Sequence, residues 1–427
     1  MADENLTTEI SEAGDPCCAV LEAQGEGDEK PIRILVAMEV YLPTVDGVVN
    51  CMRNLLLNYP ESVEATAVGP EAKGYRDTDP YPVLRFKGFR IPFTEIDFGF
   101  PSRDKDFFRK VMAMDIDLIH VHTPFGVCKV LTKIAARKQI PIVATFHTNY
   151  RMVFKKILLL KCFYEPYVRR LGRRYSAMNE MFAGTEATER MLRSFGYRGT
   201  CSIVPFGTSL RPVADPEALA ERANERFGLE PGQTVFCYIG RIVRSKRVQF
   251  SFKALKAIKK KGYDFKFIVA GTGNYARALK RAVKRLGLEE NVILAGFVSD
   301  EELEIIYSRA NLLLFPSIQD TFALVKVEAA TYDTPGLYIR GTDTAFGTTE
   351  MHNSLLSEDS VTDFVDKIEW AITHPDELRK IGKNAHAELY FSWKDSARLM
   401  AKEYRRVIAE YRRKRDASEP TPQKKEK

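Results

Sequence analysis

Hydrophobic positions along this chain alternate between two patterns. Short apolar runs occur at residues 32–38 (IRILVAM), 117–121 (DLIHV), 140–145, 181–185 (MFAGT), 201–205, 234–239 (TVFCYI) and 265–270, and others begin at 292 and 312. Glycine, proline or polar clusters bound each run, the pattern of a strand buried on both faces of a parallel sheet. Between them, apolar residues recur at three-to-four spacing, as in the stretch ending at Leu57, in 126–138 and in the helix-like segment that carries Glu328. Ser299 and Glu302 stand at capping-box spacing and predict a helix start. A last periodic stretch, 392–414, places Trp393, Ala397, Met400, Ala401 and Tyr404 on one face and predicts a helix packed across a domain junction. Strand and helix alternate without an internal repeat, so the expected class is α/β with two doubly wound, Rossmann-like domains. The expected division is a leader at 1–30, domains at 31–210 and 211–392, the helix at 393–414 and a basic tail at 415–427.

The densest chemistry lies in 312–330, LLLFPSIQDTFALVKVEAA. An apolar strand breaks at Pro316-Ser317, a polar loop follows, and a helix begins. Open α/β sheets build ligand sites this way, at the carboxyl ends of their strands. Asp320 and Glu328 are eight positions apart, one in the loop and one two turns into the helix. The amides of Thr321, Phe322, Ala323 and Leu324 lie between them at a helix N-terminus, which favours anions. A ligand with hydroxyls at one end and phosphates in the middle, a nucleotide sugar, suits that arrangement. A second phosphate-type feature follows the strand at 234–239: Gly240, then Arg241 and Lys246, where arginine can bind a diphosphate bidentately and lysine adds a point charge. Gly47, just ahead of a helix, allows close backbone approach to a ligand. His120, His122 and His147 all stand just past strand ends, and position alone does not choose among them.

The chain's 427 residues suffice for two ordinary domains. Hydrophobic content of 45% with 28% charged residues describes a globular protein, and no apolar run is long enough to span a bilayer. Residues 1–30 are acidic and poor in large apolar groups, the composition of a disordered leader without a secretory signal. Seven cysteines, of which only Cys17 and Cys18 are close, read as reduced thiols in a cytosolic protein. The histidines have neither a helical i,i+4 pair nor a thiol partner, so no metal is expected. Net charge is only +7, but its placement is uneven. Arg151, Lys155, Lys156, Lys161, Arg169, Arg170, Arg173 and Arg174 face a single acid, Glu165. Within the same segment Ile157, Leu160, Tyr164, Val168 and Leu171 recur at helical spacing, interrupted by Pro166. A basic amphipathic segment of this kind fits adsorption to an anionic bilayer, against the blander reading of a solvated basic face. No nucleic-acid module accompanies the charge, so nucleic acid is not an expected partner.

These elements together resemble retaining glycosyltransferases of family 4, which have the GT-B fold: two Rossmann-like domains facing a central cleft. Residues 316–329 resemble the E-x7-E element, usually PS..EGFGL..LEA, keeping Pro316, Ser317, Phe322, Leu324, Glu328 and Ala329. They depart from it at Asp320, Thr321 and Ala323. The resemblance implies Glu328 on the ribose hydroxyls and Asp320 beside the transferred sugar. The run 240–246 is similar to GR...EK, with Ser245 in place of Glu, which implies Arg241 and Lys246 on the pyrophosphate. Gly47 falls in a loop similar to LP..GGV, with Asp46 replacing the first glycine. Phe297 and Val298 fall in a run similar to the family's GFV element, which implies a place near the nucleotide base. H.HTPF and TFHT also match, and the family places the TFHT histidine, here His147, between donor and acceptor. The basic segment, together with TFHTNY, is closest to the group that builds glycolipids on diacylglycerol. The resemblance thus implies transfer of a hexose, glucose favoured, from a UDP-sugar to a lipid acceptor at the cytoplasmic face of the cell membrane. The donor is a substrate, and no cofactor is implied. In the family's front-face mechanism the leaving phosphate takes the acceptor's proton. A sugar-nucleotide 2-epimerase on the same architecture and a non-catalytic binding protein are the competing expectations.

Overall fold

The computed structural model describes residues 30–44, 46–90, 97–158, 160–318, 320 and 323–418; the expected leader with Cys17 and Cys18, the tail from 419, and Thr321 and Phe322 lie outside them. Two parallel sheets organise the described residues. Strands β1 (Ile32–Ala37), β2 (Val63–Pro70) and β3 (Val83–Phe86) lead into an antiparallel hairpin of β4 (Gly88–Arg90) and β5 (Asp97–Gly99). Then come β6 (Leu118–Val121), β7 (Ile142–Phe146), β8 (Glu180–Ala183) and β9 (Cys201–Ile203). The first sheet has the order β3-β2-β1-β6-β7-β8-β9. The second is built from β10 (Val235–Ile239), β11 (Lys266–Ala270), β12 (Val292–Gly296), β13 (Leu312–Phe315), β14 (Gly336–Ile339) and β15 (Leu355–Ser357), ordered β12-β11-β10-β13-β14-β15. Each order reverses beside the first strand of its sheet, and the loops at those reversals form the crevice in which such sheets bind ligands.

The all-apolar runs are the central strands, and they are buried on both faces: every residue of β6, β7, β10 and β13 is buried. Each sheet carries its own apolar core. A third cluster joins the chain's two ends. Val49, Met52 and Leu55 of the helix Gly47–Asn58 pack against Trp393, Ala397, Met400 and Tyr404 of the long helix Trp393–Ser418. That helix therefore returns to the first sheet after the second has been completed. The crossing is tight: Thr208 N–H donates to Phe391 O at 2.8 Å, and a Cβ on Gly207 would lie 2.2 Å from the Ser392 carbonyl carbon. Only glycine fits there. Between the two sheets' loops, the Arg190 guanidinium stands 5.0 Å from the centroid of the Phe346 ring, and Leu324 packs against the third cluster.

The basic segment folds as two helices, Tyr150–Leu158 and Lys161–Tyr175, so the interruption falls near residue 160 and not at Pro166. Pro166 is carried within the second helix on its exposed side, where a lost backbone hydrogen bond can be replaced by water.

Candidate active site

On the second sheet the site starts from a glycine contact. Gly240 ends β10 with φ +143°, and a Cβ on Gly271 would fall 1.9 Å from the Gly240 carbonyl oxygen. This close approach sets the course of residues 241–246. Arg241 is exposed, and its side chain has no hydrogen-bond or ion-pair partner among the described residues, while its carbonyl accepts from Val243 N–H at 3.0 Å. Lys246, in the helical turn Arg244–Lys246, forms an ion pair with Asp320 and lies 5.3 Å from the centroid of the Phe315 ring. Phe315 in turn stacks on Tyr238 at 5.6 Å. The sequence separates Lys246 and Asp320 by 74 positions; parallel pairing of β10 with β13 brings the two loops side by side. Asp320 Oδ2 is buried without a partner among the described residues.

Glu328 lies in the helix Leu324–Ala330, and its Oε2 accepts from the Tyr307 hydroxyl at 2.9 Å. Burial raises this carboxyl to about 7, against the lowering effect of the Tyr307 bond. The residue as a whole is nonetheless partly exposed, so it sits at a mouth and not in a sealed core. Tyr307 was not evident from the sequence: it belongs to the helix Asp300–Arg309, and only the fold brings it beneath Glu328. Ala323 is buried at the helix start. Lys326, also unanticipated, is buried and donates to the carbonyls of Thr344 and Phe346, tying the loop after β14 to this helix. Desolvation lowers its ammonium to about 8. Phe297 is 80% exposed, while Val298 packs partly against the core. Both halves of the Ser299–Glu302 capping box are formed.

On the first sheet His147 follows β7. Its Nε2 lies 2.8 Å from His122 Nδ1, and its ring stacks on Phe206 at 5.3 Å. His120 bonds Thr145 and Tyr404, at 2.7 and 2.6 Å. Desolvation holds His120 and His147 down near 3 and His122 well below its ordinary value, so all three are uncharged at neutral pH. Gly47 opens its helix as expected, but the amides behind it are not free. Asp46 is the N-cap, and its side chain accepts from Val48 N–H and Val49 N–H, both at 2.8 Å. A cap of this kind satisfies the donors a phosphate would use. A Cβ on Gly47 would meet nothing within 4 Å, so the glycine is not enforced by packing. Glu39, buried at the end of β1, accepts from Val127 N–H and the Thr123 hydroxyl, and burial raises it to about 7. Among the described residues no group of three or more His, Cys, Asp or Glu side chains is arranged to hold a metal ion.

The basic segment divides in two. Arg151 is taken up by the fold, bonded to Glu165 at 3.0 Å and to Ser194, and Arg174 donates to Pro124 O. Lys155, Lys161, Arg169, Arg170 and Arg173 are exposed; the side chain of Lys156 is not among those described. Tyr164, Val168 and Leu171 face the core, while Leu160, Phe163 and Tyr167 are 54–60% exposed beside the cations. The helical spacing picked out the core stripe at Tyr164, Val168 and Leu171, while its member Leu160 is exposed together with Phe163 and Tyr167, which the spacing did not include.

Residues 45–211 match the family described as Glycosyltransferase Family 4, and residues 220–388 match Glycosyl transferases group 1. The chain belongs to the GT-B glycosyltransferases of these families. The enzyme is 24% identical over 320 residues to an alpha-monoglucosyldiacylglycerol synthase of Streptococcus pneumoniae, covering 71% of this chain and 70% of that protein. It is 25% identical over 323 residues to one of Acholeplasma laidlawii, covering 71% and 79%. Among solved structures, Anabaena Alr3699/HepE in complex with UDP and glucose superposes with a TM-score of 0.68 at 17% identity, over 87% of this chain and 99% of that one. Sucrose-phosphate synthase from Thermosynechococcus elongatus gives the same TM-score over 89% and 100%. The glycosyltransferase thus has the two facing domains expected, and no described helix is long and apolar enough to cross a membrane.

Proposed function

We propose that this glycosyltransferase moves a hexose, with glucose favoured, from a UDP-sugar to the hydroxyl of a lipid acceptor, diacylglycerol, with retention at the anomeric carbon. The observation that carries the donor half is the ion pair of Lys246 with Asp320 across the loops that follow β10 and β13, with Arg241 in the first of those loops and Glu328 in the helix that follows the second. Glu328, oriented by Tyr307, takes the ribose hydroxyls. Gly240 lets the loop after it come close to the diphosphate, with Phe297 and Val298 toward the base. Arg241 and Lys246 offset the charge that develops as the bond from the anomeric carbon to the diphosphate breaks. Fixed charges aimed at a leaving group are among the strongest means an enzyme has of lowering a barrier. Asp320 turns toward the sugar once the diphosphate engages Lys246. As the new bond forms on the same face, the acceptor hydroxyl's proton passes to the leaving phosphate oxygen, so no enzymic nucleophile is needed.

Likeness to two alpha-monoglucosyldiacylglycerol synthases supports the lipid acceptor. Exposed Leu160, Phe163 and Tyr167 beside five exposed cations support work at an anionic membrane surface, on its cytoplasmic face. The test is incubation with radiolabelled UDP-glucose and diacylglycerol in anionic vesicles. Label should enter the lipid phase as an α-glucoside. Release of free epimerised sugar without lipid dependence would instead identify an epimerase, and no donor turnover would identify a binding protein.

A further inference from the structure

The buried histidines carry a proton assignment with a chemical consequence. His122 and His147 meet edge to edge: their planes are inclined by only 16°, their centroids are 5.0 Å apart, and the Nδ1 to Nε2 distance is 2.8 Å. Nearly coplanar rings at that separation share one in-plane N–H···N hydrogen bond. Each ring is neutral and holds one proton, so the bond can be made in only two ways. If His147 donates from Nε2, His122 must carry its proton on its own Nε2. That atom is buried and has no partner among the described residues, which leaves an N–H donor orphaned. If His122 donates from Nδ1, only a bare lone pair is left at its Nε2. Orphaned buried donors are the rarer defect, because each loses its hydration with nothing in return. The second arrangement therefore holds.

The pair is also locked in place. The His122 amide donates to Ala37 O at 2.8 Å, and the centroid of the His120 ring lies 4.2 Å from that of His122. His120 is itself bonded to Tyr404 of the long C-terminal helix. Phe206 covers the His147 ring and stacks in turn on Trp393.

We infer that His122 is a positioning residue that fixes His147 as the Nδ1–H tautomer, so that His147 meets its ligand as a hydrogen-bond donor and not as a base. Both His147 nitrogens are then committed, Nε2 as the acceptor from His122 and Nδ1 as the free N–H. No lone pair remains to take the acceptor's proton. An oxygen of the sugar or of the leaving group is the ligand atom such a donor suits. The inference rests on the placement of His147 between donor and acceptor, but its test does not.

Side-chain nitrogen spectra of the full chain, labelled with 15N and recorded without ligand near neutral pH, read each tautomer directly. His147 should show a protonated Nδ1 and a bare Nε2. His122→Asn, whose amide can still donate to His147, should keep that signature, and His122→Val should shift His147 toward the Nε2–H form. Glycosyl transfer should follow the Nδ1–H population across the three proteins. A wild-type His147 protonated at Nε2 overturns the inference, as does an unchanged tautomer in His122→Val. Should the valine variant not fold, the wild-type spectrum decides alone. Loss of the glycosyltransferase reading would look different: no donor turnover, with the tautomer as assigned.

Discussion

Alanine replacements at Arg241 and Lys246 should separate two effects that a rate measurement alone would merge. Arg241 is exposed and unpaired, so its removal should cost transition-state stabilisation and little else. Loss of one charge-stabilising donor typically lowers turnover by about 10² to 10³. Lys246 should lose a similar factor, but breaking its ion pair with Asp320 should also lower stability. The two side chains are 16% and 15% exposed, between the surface and the interior. Breaking a fully buried pair costs about 3–5 kcal/mol, and an exposed one about 0–1 kcal/mol. At this exposure about 2–3 kcal/mol is expected, because Asp320, whose Oδ2 already lacks a partner, would be left wholly uncompensated. For a domain of this size that lowers Tm by roughly 5–10 °C. Lys246→Ala with Asp320→Ala should recover much of the loss, since no unpaired charge then remains. The assays are calorimetric unfolding and single-turnover transfer from labelled UDP-glucose. Two results would refute the reasoning. Full transfer activity in the Arg241→Ala, Lys246→Ala double variant removes both cations from the mechanism, and equal Tm for the Arg241 and Lys246 single variants removes the ion pair from the fold.

Four further outcomes follow from the same geometry. Glu328→Gln should weaken nucleotide binding by about 1.5–3 kcal/mol, the value of a hydrogen bond to a charged acceptor; unchanged calorimetric binding would make Glu328 structural. Asp46→Gly should leave stability within a few tenths of a kcal/mol, as a cap-to-glycine change does, while the freed Val48 and Val49 amides tighten UDP binding; weaker binding would show that the cap itself shapes the loop. For pH, the signs oppose: Glu39 and Glu328, raised to about 7, make the folded state bind protons that the unfolded chain releases above its ordinary carboxylate range, so their share of stability falls as pH rises from about 4.5 to 7. The buried histidines act the other way, their share being lost as pH falls below about 6.5. The informative quantity is therefore the difference between wild type and Glu39→Gln, which should shrink by about 3 kcal/mol between pH 4.5 and 7; a constant difference would place the Glu39 pKa near its ordinary value. Finally, Phe163→Ser with Tyr167→Ser should weaken vesicle binding at high salt, and serine at Lys155, Arg169, Arg170 and Arg173 at low salt, because only the charge contribution is screened; equal vesicle pelleting of wild type and both variants would return the segment to a solvated face.

The central strands were legible in the sequence because burial on both faces leaves no room for polar alternation, as in LIHV and VFCYI. Some strands were not: Val63–Pro70 reads VEATAVGP, where polar and small residues break the apolar run, and β3, β14 and β15 were also missed. Loop chemistry was legible where a residue type has one plausible use: glycine where φ is positive at Gly240, and serine three residues ahead of glutamate at the capping box. What escaped is the class of contacts made only by folding. Nothing in the spacing joins Tyr307 to Glu328, Lys326 to the carbonyl of Phe346, or Tyr404 to His120 across 284 positions. The same limit explains the basic segment. Composition counts eight cations and cannot tell that Arg151 and Arg174 are bound inward by Glu165 and Pro124 O.

The inward-bound arginines and the chain of buried rings belong to one design. Arg174 and Glu39 hold residues 123–127, just past β6, and the ring series Tyr404, His120, His122 and His147 runs from the C-terminal helix to the end of β7. The front-face transfer proposed above would rely on such fixed packing around His147, because the enzyme would contribute position and fixed charge in place of a nucleophile. A polar series with every ring uncharged also avoids the desolvation that one buried imidazolium would bring. The C-terminal helix, packed on the first sheet, thereby backs the histidines, and in the proposed reading it is the back wall of the acceptor side. Tyr404→Phe removes one hydroxyl at the far end of that wall, leaving His120 Nδ1 and Tyr59 without their partner. Its effect on transfer should exceed its effect on UDP binding, since the side chains proposed to hold the donor, Arg241, Lys246 and Glu328, belong to the other sheet. A variant that loses UDP affinity in proportion to rate would mean that the helix supports the domain arrangement as a whole and not the histidines in particular.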